Sequence, residues 1–355
     1  MRECTRCVMN TTDPDIVFDS AGICNHCRQY DKDERQRVLD RTGLPWIIYK
    51  MKEAGKGKEY DCLLGLSGGV DSSMCLVKLI EHGIRPLCFS VDNSWNTREA
   101  DENIMRLVEH YKVPFYRYVL DQERFRELQE AFIMSGTPNI EIPTDHVLMA
   151  TTYEMSKKYG IRYVISGGNL ATESVMPPAW GYSAADLRFI KDVYRRHKRK
   201  ELSGIPITSM LQYAYHRFIR GVIIVNLLDF YEYNKMHAKQ ELIEKVGWKD
   251  YGEKHAESTF TQWFQNMYLP RMWGYDKRRA HLSSLILSGQ MKRSDALIEL
   301  SKPPAYVDGI KEQFPGLRME HTKRRTQDDY KNSEKNWKRF RKLFPLLKKM
   351  TKLLV

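Results

Sequence analysis

The run Ser67-Gly68-Gly69-Val70-Asp71-Ser72-Ser73 constrains this chain more than any other segment. It follows an apolar run, Tyr60 to Leu66, and opens a helical stretch, Ser72 to His82, that stops at Gly83. Two adjacent glycines let a backbone approach an anion closely. The first N–H groups of the helix lack intrahelical partners and point at it. Ser67, Ser72 and Ser73 add hydroxyl donors. A helix N-terminus favours a phosphate by about 0.3–1 kcal/mol. Asp71 would repel a bare pyrophosphate, so Mg²⁺ is expected between them. The plainer reading of the same residues is a serine-capped Gly-Gly turn. Neither G-x-x-x-x-G-K-[ST] nor G-x-G-x-x-G is present to give the loop another role.

The loop sits in an alternation. Apolar strand-like runs are Tyr60 to Leu66, Ile84 to Val91, Pro114 to Leu120 and Arg162 to Ser166. Helical stretches are Ser72 to His82, Thr97 to Tyr111 and Thr144 to Tyr159. Strands alternating with helices of this length predict an α/β, doubly wound parallel sheet covered on both faces. Residues 59–180 carry it. Residues 1–58 read as a cysteine-bracketed unit with a linking helix, 181–317 as a mainly helical substrate-binding part, and 318–355 as a basic tail. The 355 residues are enough for a full core.

The loop matches, residue for residue, the S-G-G-x-D-S-S loop of the PP-loop ATPases, of the adenine nucleotide alpha hydrolase type. That resemblance implies ATP as substrate. Ser67, Gly68, Gly69, Val70, Asp71, Ser72 and Ser73 would hold the β,γ-pyrophosphate while AMP is transferred. It places adenine at the end of the second strand, Ser90-Val91-Asp92-Asn93, with Val91 against it. Ser166-Gly167-Gly168-Asn169 ends the fourth strand, where an open α/β sheet binds ligands. Gly168 and Asn169 are the expected contacts there, and Glu173 is either the second Mg²⁺ carboxylate or a solvated helix cap.

Cys4-x-x-Cys7, sixteen residues, then Cys24-x-x-Cys27 reads as a metal site. Four thiolates in two knuckles suit tetrahedral, structural Zn²⁺. A unit of about 30 residues buries too little to fold alone, and metal binding would supply the difference. A four-thiolate iron–sulfur cluster is the alternative. His26 is expected on the knuckle surface.

The formal charge of +12 is uneven. Residues 318–355 hold 13 Lys and Arg against 4 Asp and Glu, a net +9, leaving +3 elsewhere. The sequence is therefore a poor candidate for nucleic acid. No apolar run reaches the roughly 18 residues of a membrane span, and Met1-Arg2-Glu3-Cys4 lacks a signal core. A cytoplasmic location is expected. In the tail, Trp337, Phe340, Phe344, Leu347 and Leu354 share one helical face among lysines and arginines, with a kink at Pro345. Such a helix docks on an acidic partner, lies on an anionic membrane surface or packs on its own body.

What attacks the adenylate is read from what the chain lacks. Cys62, Cys75 and Cys88 sit in apolar runs and look like core residues, without a sulfur-transfer partner. No N-terminal glutaminase nucleophile is visible. The nitrogen is then free ammonia, or ammonia delivered by a partner.

The segment Cys4-Thr5-Arg6-Cys7-Val8-Met9-Asn10-Thr11-Thr12-Asp13-Pro14 with Cys24-Asn25-His26-Cys27 resembles the N-acetyl sugar amidotransferases, the WbpG/PseA-like group. So do Ile142-Pro143-Thr144-Asp145-His146, Tyr251 to Ser258, Gly274 to Arg279, His281-Leu282-Ser283 and Ser288-Gly289-Gln290-Met291. The resemblance covers about residues 1–310. It implies that an acetamido group on a nucleotide-linked sugar acid becomes an acetamidino group, in surface polysaccharide (lipopolysaccharide O-antigen) or nonulosonic acid synthesis. It also implies a glutaminase partner like the amidotransferase subunit of histidine biosynthesis, often with a cyclase-like companion. An anionic nucleotide-sugar needs cations, so Lys254, His255, Arg278, Arg279 and His281 are the natural candidates at the substrate, the plainer reading being solvated helix surface. Asp145 and His146 are either site residues or a helix cap and a core residue. Asp71, Glu173, Lys254 and His255 are expected to carry the chemistry. Two competing readings are a tRNA-thiolating PP-loop enzyme and a nucleotide-sensing adaptor without catalysis.

Overall fold

The structure, a computed structural model, describes residues 1–252, 257–307, 310–315, 317, 322–334, 339 and 342. Two helices precede the sheet: α1 (Asn25–Asp40) from the last cysteine knuckle, and α2 (Leu44–Gly55). Then β1 (Cys62–Gly65), α3 (Val70–Glu81), β2 (Pro86–Asp92), α4 (Arg98–Tyr111), β3 (Phe115–Val119), α5 (Gln122–Ser135), α6 (Ile142–Lys158) and β4 (Tyr163–Ser166) follow. All four expected strands form. The short α7 (Leu170–Glu173) and α8 (Leu187–Lys198) come next, and β5 (Ile223–Asn226) joins the sheet from the helical half.

The five strands run parallel in the order β3-β2-β1-β4-β5. The chain winds outward from β1 in one direction and then, from β4, in the other. The ends of β1 and β4 therefore flank the topological switch point, where such sheets bind ligands. Alternation along the central strands explains the layers. Cys62, Leu64, Cys88 and Ile165 face a core with Met51 of α2, Leu76 of α3 and Ile104 of α4. Leu63, Leu87, Phe89 and Val164 face Tyr153 and Met155 of α6. β5 is an edge strand with Ile223 and Ile224 exposed. Its lack of polar alternation is why the sequence reading merged it into the helical half.

The remaining helices are α9 (Met210–Ala214), α10 (Lys235–Val246), α11 (Thr259–Trp263), α12 (Leu269–Trp273), α13 (Lys277–Leu287), α14 (Arg293–Ser301) and α15 (Ile310–Gln313). A separate core joins the cysteine unit to this half, with Phe132 of α5, Phe189 of α8, Phe260 and Tyr268. Tyr330 belongs to it too, 4% exposed, donating its hydroxyl to the Ser135 carbonyl at 3.0 Å. Gly136 ends α5 at φ +70, and a Cβ there would strike the carbonyl of Lys323. The segment 322–334 thus packs on the body. No helix among the described residues is long and apolar enough to cross a membrane.

Candidate functional site

The phosphate loop is shaped by its own hydroxyls. Ser67 Oγ accepts from the Gly69 N–H at 3.2 Å, and Ser73 Oγ donates to the Gly69 carbonyl at 2.7 Å. Ser73 is fully buried, so it shapes the turn rather than reaching a ligand, a correction to its expected role. Gly68 holds φ +80 with the Ala100 carbonyl where a Cβ would be, and its own carbonyl accepts from Trp248 Nε1 at 3.0 Å. No side chain caps the start of α3. The N–H groups of Val70, Asp71 and Ser72 open that helix and have no acceptor within it.

Asp71 projects from this first turn into a polar cluster. Tyr233 donates its hydroxyl to Asp71 Oδ1 at 2.6 Å, Asn169 Nδ2 lies at 3.4 Å from the same oxygen, and Lys235 Nζ is 3.8 Å from Oδ2. Burial, then the Asp71 charge, pushes the Tyr233 hydroxyl well above its ordinary range, so it stays a donor. Asn169 caps α7, accepting from the Thr172 N–H at 2.9 Å. Glu173 ends α7, close to Gly168. Glu257 and the Tyr251 hydroxyl stand over Gly69. Burial and the Glu257 carboxylate hold that hydroxyl well above its ordinary range. Tyr233, Lys235, Tyr251 and Glu257 were not singled out as site residues by the sequence reading. Val91 lies at the carboxyl end of β2, paired with Tyr118 of β3. Asp71, Glu173 and Glu257 are hard oxygen donors of the kind Mg²⁺ takes.

A cavity of about 1090 Å³ opens from Glu173. One wall is aromatic: Trp180 stacks on Tyr275 with centroids 5.2 Å apart, and Trp273 on Tyr275 at 5.7 Å. The polar lining includes Glu141, Asp145, Lys277 and His281. Glu141 and Asp145 are one helical turn apart at the start of α6. Burial first, then the neighbouring Asp145 charge, pushes Glu141 up to about 8, although the Thr261 hydroxyl and Lys277 pull the other way. Asp145 is also raised, by loss of bulk water, with Lys277 opposing. Its side chain is exposed to the cavity, where water tempers that rise.

The cavity is more acidic than an anionic substrate predicts. Asp15, Asp186, Asp328 and Glu334 add to its carboxylates, against Lys277 and His281. Of the expected substrate residues, Asp145 and His281 line it, and Lys254 and His255 lie outside the described residues. His146 takes the core role of its two readings. It is 1% exposed, its Nδ1 meets the Ala184 carbonyl at 2.6 Å, and its Nε2 accepts from the Thr208 N–H at 3.2 Å. Both ring nitrogens are spent on backbone.

The four cysteines converge in the fold. Their sulfurs all lie within 4.8 Å of one another, with Cys4–Cys27 and Cys7–Cys24 at 3.7 Å and Cys24–Cys27 at 3.6 Å. Tetrahedral Zn²⁺ with bonds of about 2.3 Å sets sulfurs about 3.8 Å apart, so the set fits. The Cys24 N–H donates to Cys4 Sγ at 3.2 Å and the Met9 N–H to Cys7 Sγ at 3.5 Å, as around a thiolate centre. His26 is not among the ligands: it bonds Asp13 at 2.7 Å.

Residues 257–316 match the family model described as LPS biosynthesis protein WbpG-like, C-terminal domain. This 60-residue segment is similar to that WbpG-like domain. The chain is also 24% identical, over 308 residues, to an uncharacterized protein of Methanocaldococcus jannaschii, covering 85% of this chain and 94% of that one. Among solved structures, the NMN synthetase of Francisella tularensis overlaps at 17% identity and a TM-score of 0.29, over 39% of this chain and 56% of that one. The NH₃-dependent NAD synthetase of Campylobacter jejuni overlaps at 14% identity and a TM-score of 0.32, over 75% and 97%.

The WbpG-like domain contributes to three places. Its Lys277 and His281 line the cavity. Its Gln290 holds the segment beside Asp71, accepting from the Lys235 N–H at 2.8 Å and donating to the Tyr233 carbonyl at 3.2 Å. Its arginines hold the cysteine unit. Arg293 donates to the carbonyls of Cys7 and Cys4 at 3.0 and 3.1 Å, and Arg279 to Glu3 and the Val8 carbonyl at 2.8 and 2.7 Å. Arg279 is thereby corrected from a substrate residue to an anchor. Arg278, also expected at the substrate, pairs with Asp276 at 2.7 Å and donates to the Glu299 and Lys302 carbonyls, fastening α13 to the end of α14.

Proposed function

We propose that this chain is an ATP-dependent, AMP-forming amidotransferase of the cytoplasm. It converts an acetamido group of a nucleotide-linked sugar acid to an acetamidino group, for lipopolysaccharide or nonulosonic acid synthesis. The observation that carries the reading is a juxtaposition. The segment matching an LPS biosynthesis protein lines a cavity that opens at Glu173, four residues past Asn169 across α7, and the Asn169 side chain meets Asp71 of the phosphate loop.

An amide is a poor electrophile, and its oxygen a poor leaving group. The reading makes the amide oxygen attack the α-phosphorus of ATP, releasing pyrophosphate to the backbone of residues 67–72 and leaving an O-adenylated imidate. Ammonia adds to the imidate carbon, the C–O bond breaks, AMP departs, and the amidine keeps the proton as an amidinium. Bound Mg²⁺ would neutralise phosphate charge, with Asp71 and Glu173 as its protein ligands. Gly168 and Asn169 face the nucleotide, and Val91 the adenine. Glu141 and Asp145 handle the proton of incoming ammonium, since neighbouring carboxyl groups with raised affinity for protons suit that task. Structural Zn²⁺ occupies the four cysteines. Ammonia comes from a glutaminase partner, with a cyclase-like companion.

Sulfur transfer has no support. Cys62 and Cys75 are fully buried and burial pushes both thiols well up, while Cys88 is pushed up to about 12. The test is incubation of candidate nucleotide sugars with ATP, Mg²⁺ and isotope-labelled ammonium, followed by mass spectrometry. Labelled product with one oxygen replaced by NH, and AMP in equal amount, is expected. ATP left intact with every acetamido sugar tried sinks the reading.

A further inference from the structure

We propose that Lys235 is a ligand of the β,γ-pyrophosphate and that Gln290 of the WbpG-like domain is the residue that positions it; the inference rests on the ATP-dependent reading above.

The backbone at Asn234 is extended, φ −119 and ψ 121. Side chains flanking an extended residue fall on one side of the chain. Tyr233 and Lys235 accordingly converge on Asp71, one at each carboxylate oxygen: the Tyr233 hydroxyl at 2.6 Å from Oδ1 and Lys235 Nζ at 3.8 Å from Oδ2. Gln290 grips both sides of Asn234, accepting from the Lys235 N–H and donating to the Tyr233 carbonyl. Its Nε2 also donates to Ser288 Oγ at 3.1 Å, fixing the amide. Asn234 caps the helix that follows, accepting from the Met236 and His237 N–H groups at 3.0 and 3.1 Å. Every part of this turn is thus fixed except the Lys235 ammonium.

Charge explains the arrangement. An ammonium has three donors, and a single contact at 3.8 Å to Asp71 leaves capacity for phosphate oxygens. Asp250, a second carboxylate that feels Lys235, is bonded to Lys239 at 2.6 Å. Around the loop stand Asp71, Glu173 and Glu257, all negative. A phosphate chain brought there carries more negative charge than one Mg²⁺ balances. Lys235 is a cation placed beside the loop, 3.8 Å from Asp71 Oδ2. It approaches from the start of α10, which packs against α3 through Ala238 and Leu242 in a shared core.

A ligand of the β,γ-phosphates acts on pyrophosphate and ATP and leaves AMP alone. The experiment is calorimetric titration of the full chain with Mg²⁺-pyrophosphate, Mg²⁺-ATP and AMP, for wild type, Lys235→Met, Lys235→Arg and Gln290→Leu. Lys235→Met should weaken pyrophosphate and ATP by about tenfold or more and AMP by less than about twofold, with Lys235→Arg retaining most of the affinity. Gln290→Leu should weaken pyrophosphate but not AMP; a general structural defect would weaken both. In the wild-type protein, pyrophosphate should shield Lys235 from acetylation, read by mass spectrometry, and Gln290→Leu should lose that shielding. Unchanged pyrophosphate affinity in Lys235→Met, or a Lys235 acetylated equally with and without pyrophosphate, overturns the inference while leaving the ATP reading standing. Wild-type protein that binds neither ATP nor pyrophosphate overturns both.

Discussion

The Tyr233 hydroxyl meets Asp71 Oδ1 at 2.6 Å across 162 residues of chain. The helical half is thereby fastened to the one acidic side chain of the phosphate loop. A neutral donor steadies a carboxylate without taking its charge, so Asp71 remains competent to hold a cation. Asp71→Ala should abolish AMP formation, by about a thousandfold or more, with the far-ultraviolet dichroism unchanged. Tyr233→Phe removes one hydrogen bond to a charged group and should cost about tenfold. Near-normal AMP release from Asp71→Ala would remove that residue from the chemistry.

The cysteine centre and the WbpG-like domain share backbone contacts through Arg293 and Arg279. Elemental analysis should find one Zn per chain. Cys24→Ser should lower folding yield more than it alters the turnover of the protein that does fold. Arg293→Ala should make the metal easier to remove with a chelator, because the carbonyls of two ligand residues, Cys4 and Cys7, lose their donor. Protein prepared without chelator and free of metal would contradict the site.

Much of this was legible in the chain. The loop, the four strands around it and the metal pattern are local signals, each carried by contiguous residues. What the sequence hid is what the fold assembles. Glu141 and Lys277 are 136 residues apart, and only the packing of α13 against α7 brings Lys277 to the cavity that Glu141 lines. Tyr233 and Lys235 carry no motif; their role comes from a helix start that happens to face Asp71. Arginines mislead for a related reason. A clustered Arg278-Arg279 pair reads as an anion site, yet in a small unit poor in apolar surface, backbone carbonyls at the knuckles need donors, and Arg279 supplies them. His146 was similarly ambiguous, since a histidine after a helix start serves equally as ligand or as a buried bridge between two backbone groups.

Glu141 makes a stability prediction. Its carboxyl titrates near its ordinary value of 4.5 when unfolded and near 8 when folded. Between those limits the folded state binds more protons, so this group costs stability as pH rises, most fully above about 8. Glu141→Gln keeps an acceptor for the Thr261 hydroxyl and removes the buried charge. Its melting temperature should exceed wild type by about 1–2 °C on the alkaline side, a difference of about 1 kcal/mol for a chain of 355 residues, and converge with it at pH 4.5. Ammonia-dependent turnover should fall in the same variant. A melting temperature below wild type at alkaline pH would mean that the ionised carboxylate is stabilising, contrary to the burial argument.

Nitrogen supply gives a clean comparison. No described cysteine outside the metal set is accessible, since Cys62, Cys75 and Cys88 are all buried. The purified chain should use ammonium salts and not glutamine. Adding a glutaminase partner should make glutamine effective. Glutamine consumption by the pure chain would reveal a nucleophile that this structure does not display.

The tail divides at Glu334. Residues 322–334 are fastened to α5 and α8: the Arg325 N–H donates to the Gly136 carbonyl at 3.1 Å, the Lys331 N–H to Asp192 at 2.9 Å, and the Ser333 N–H to Asp186 at 2.6 Å. Arg196 covers the Tyr330 ring at 4.9 Å. Cutting before Thr322 would remove the buried Tyr330 and open the core that α5 and α8 share, so that chain should be insoluble. Trp337, Phe340, Phe344, Leu347 and Leu354, with most of the basic residues around them, lie outside the described residues. A basic amphipathic segment of that composition suits an acidic protein surface or anionic lipid. A chain ending at Glu334 should keep its melting temperature and its ammonia-dependent activity. It should lose either glutamine-dependent activity with the glutaminase partner or binding to vesicles of anionic lipid, and which of the two it loses names the target. If that chain is instead insoluble, or inactive with ammonia, the last residues belong to the core and the interaction role fails.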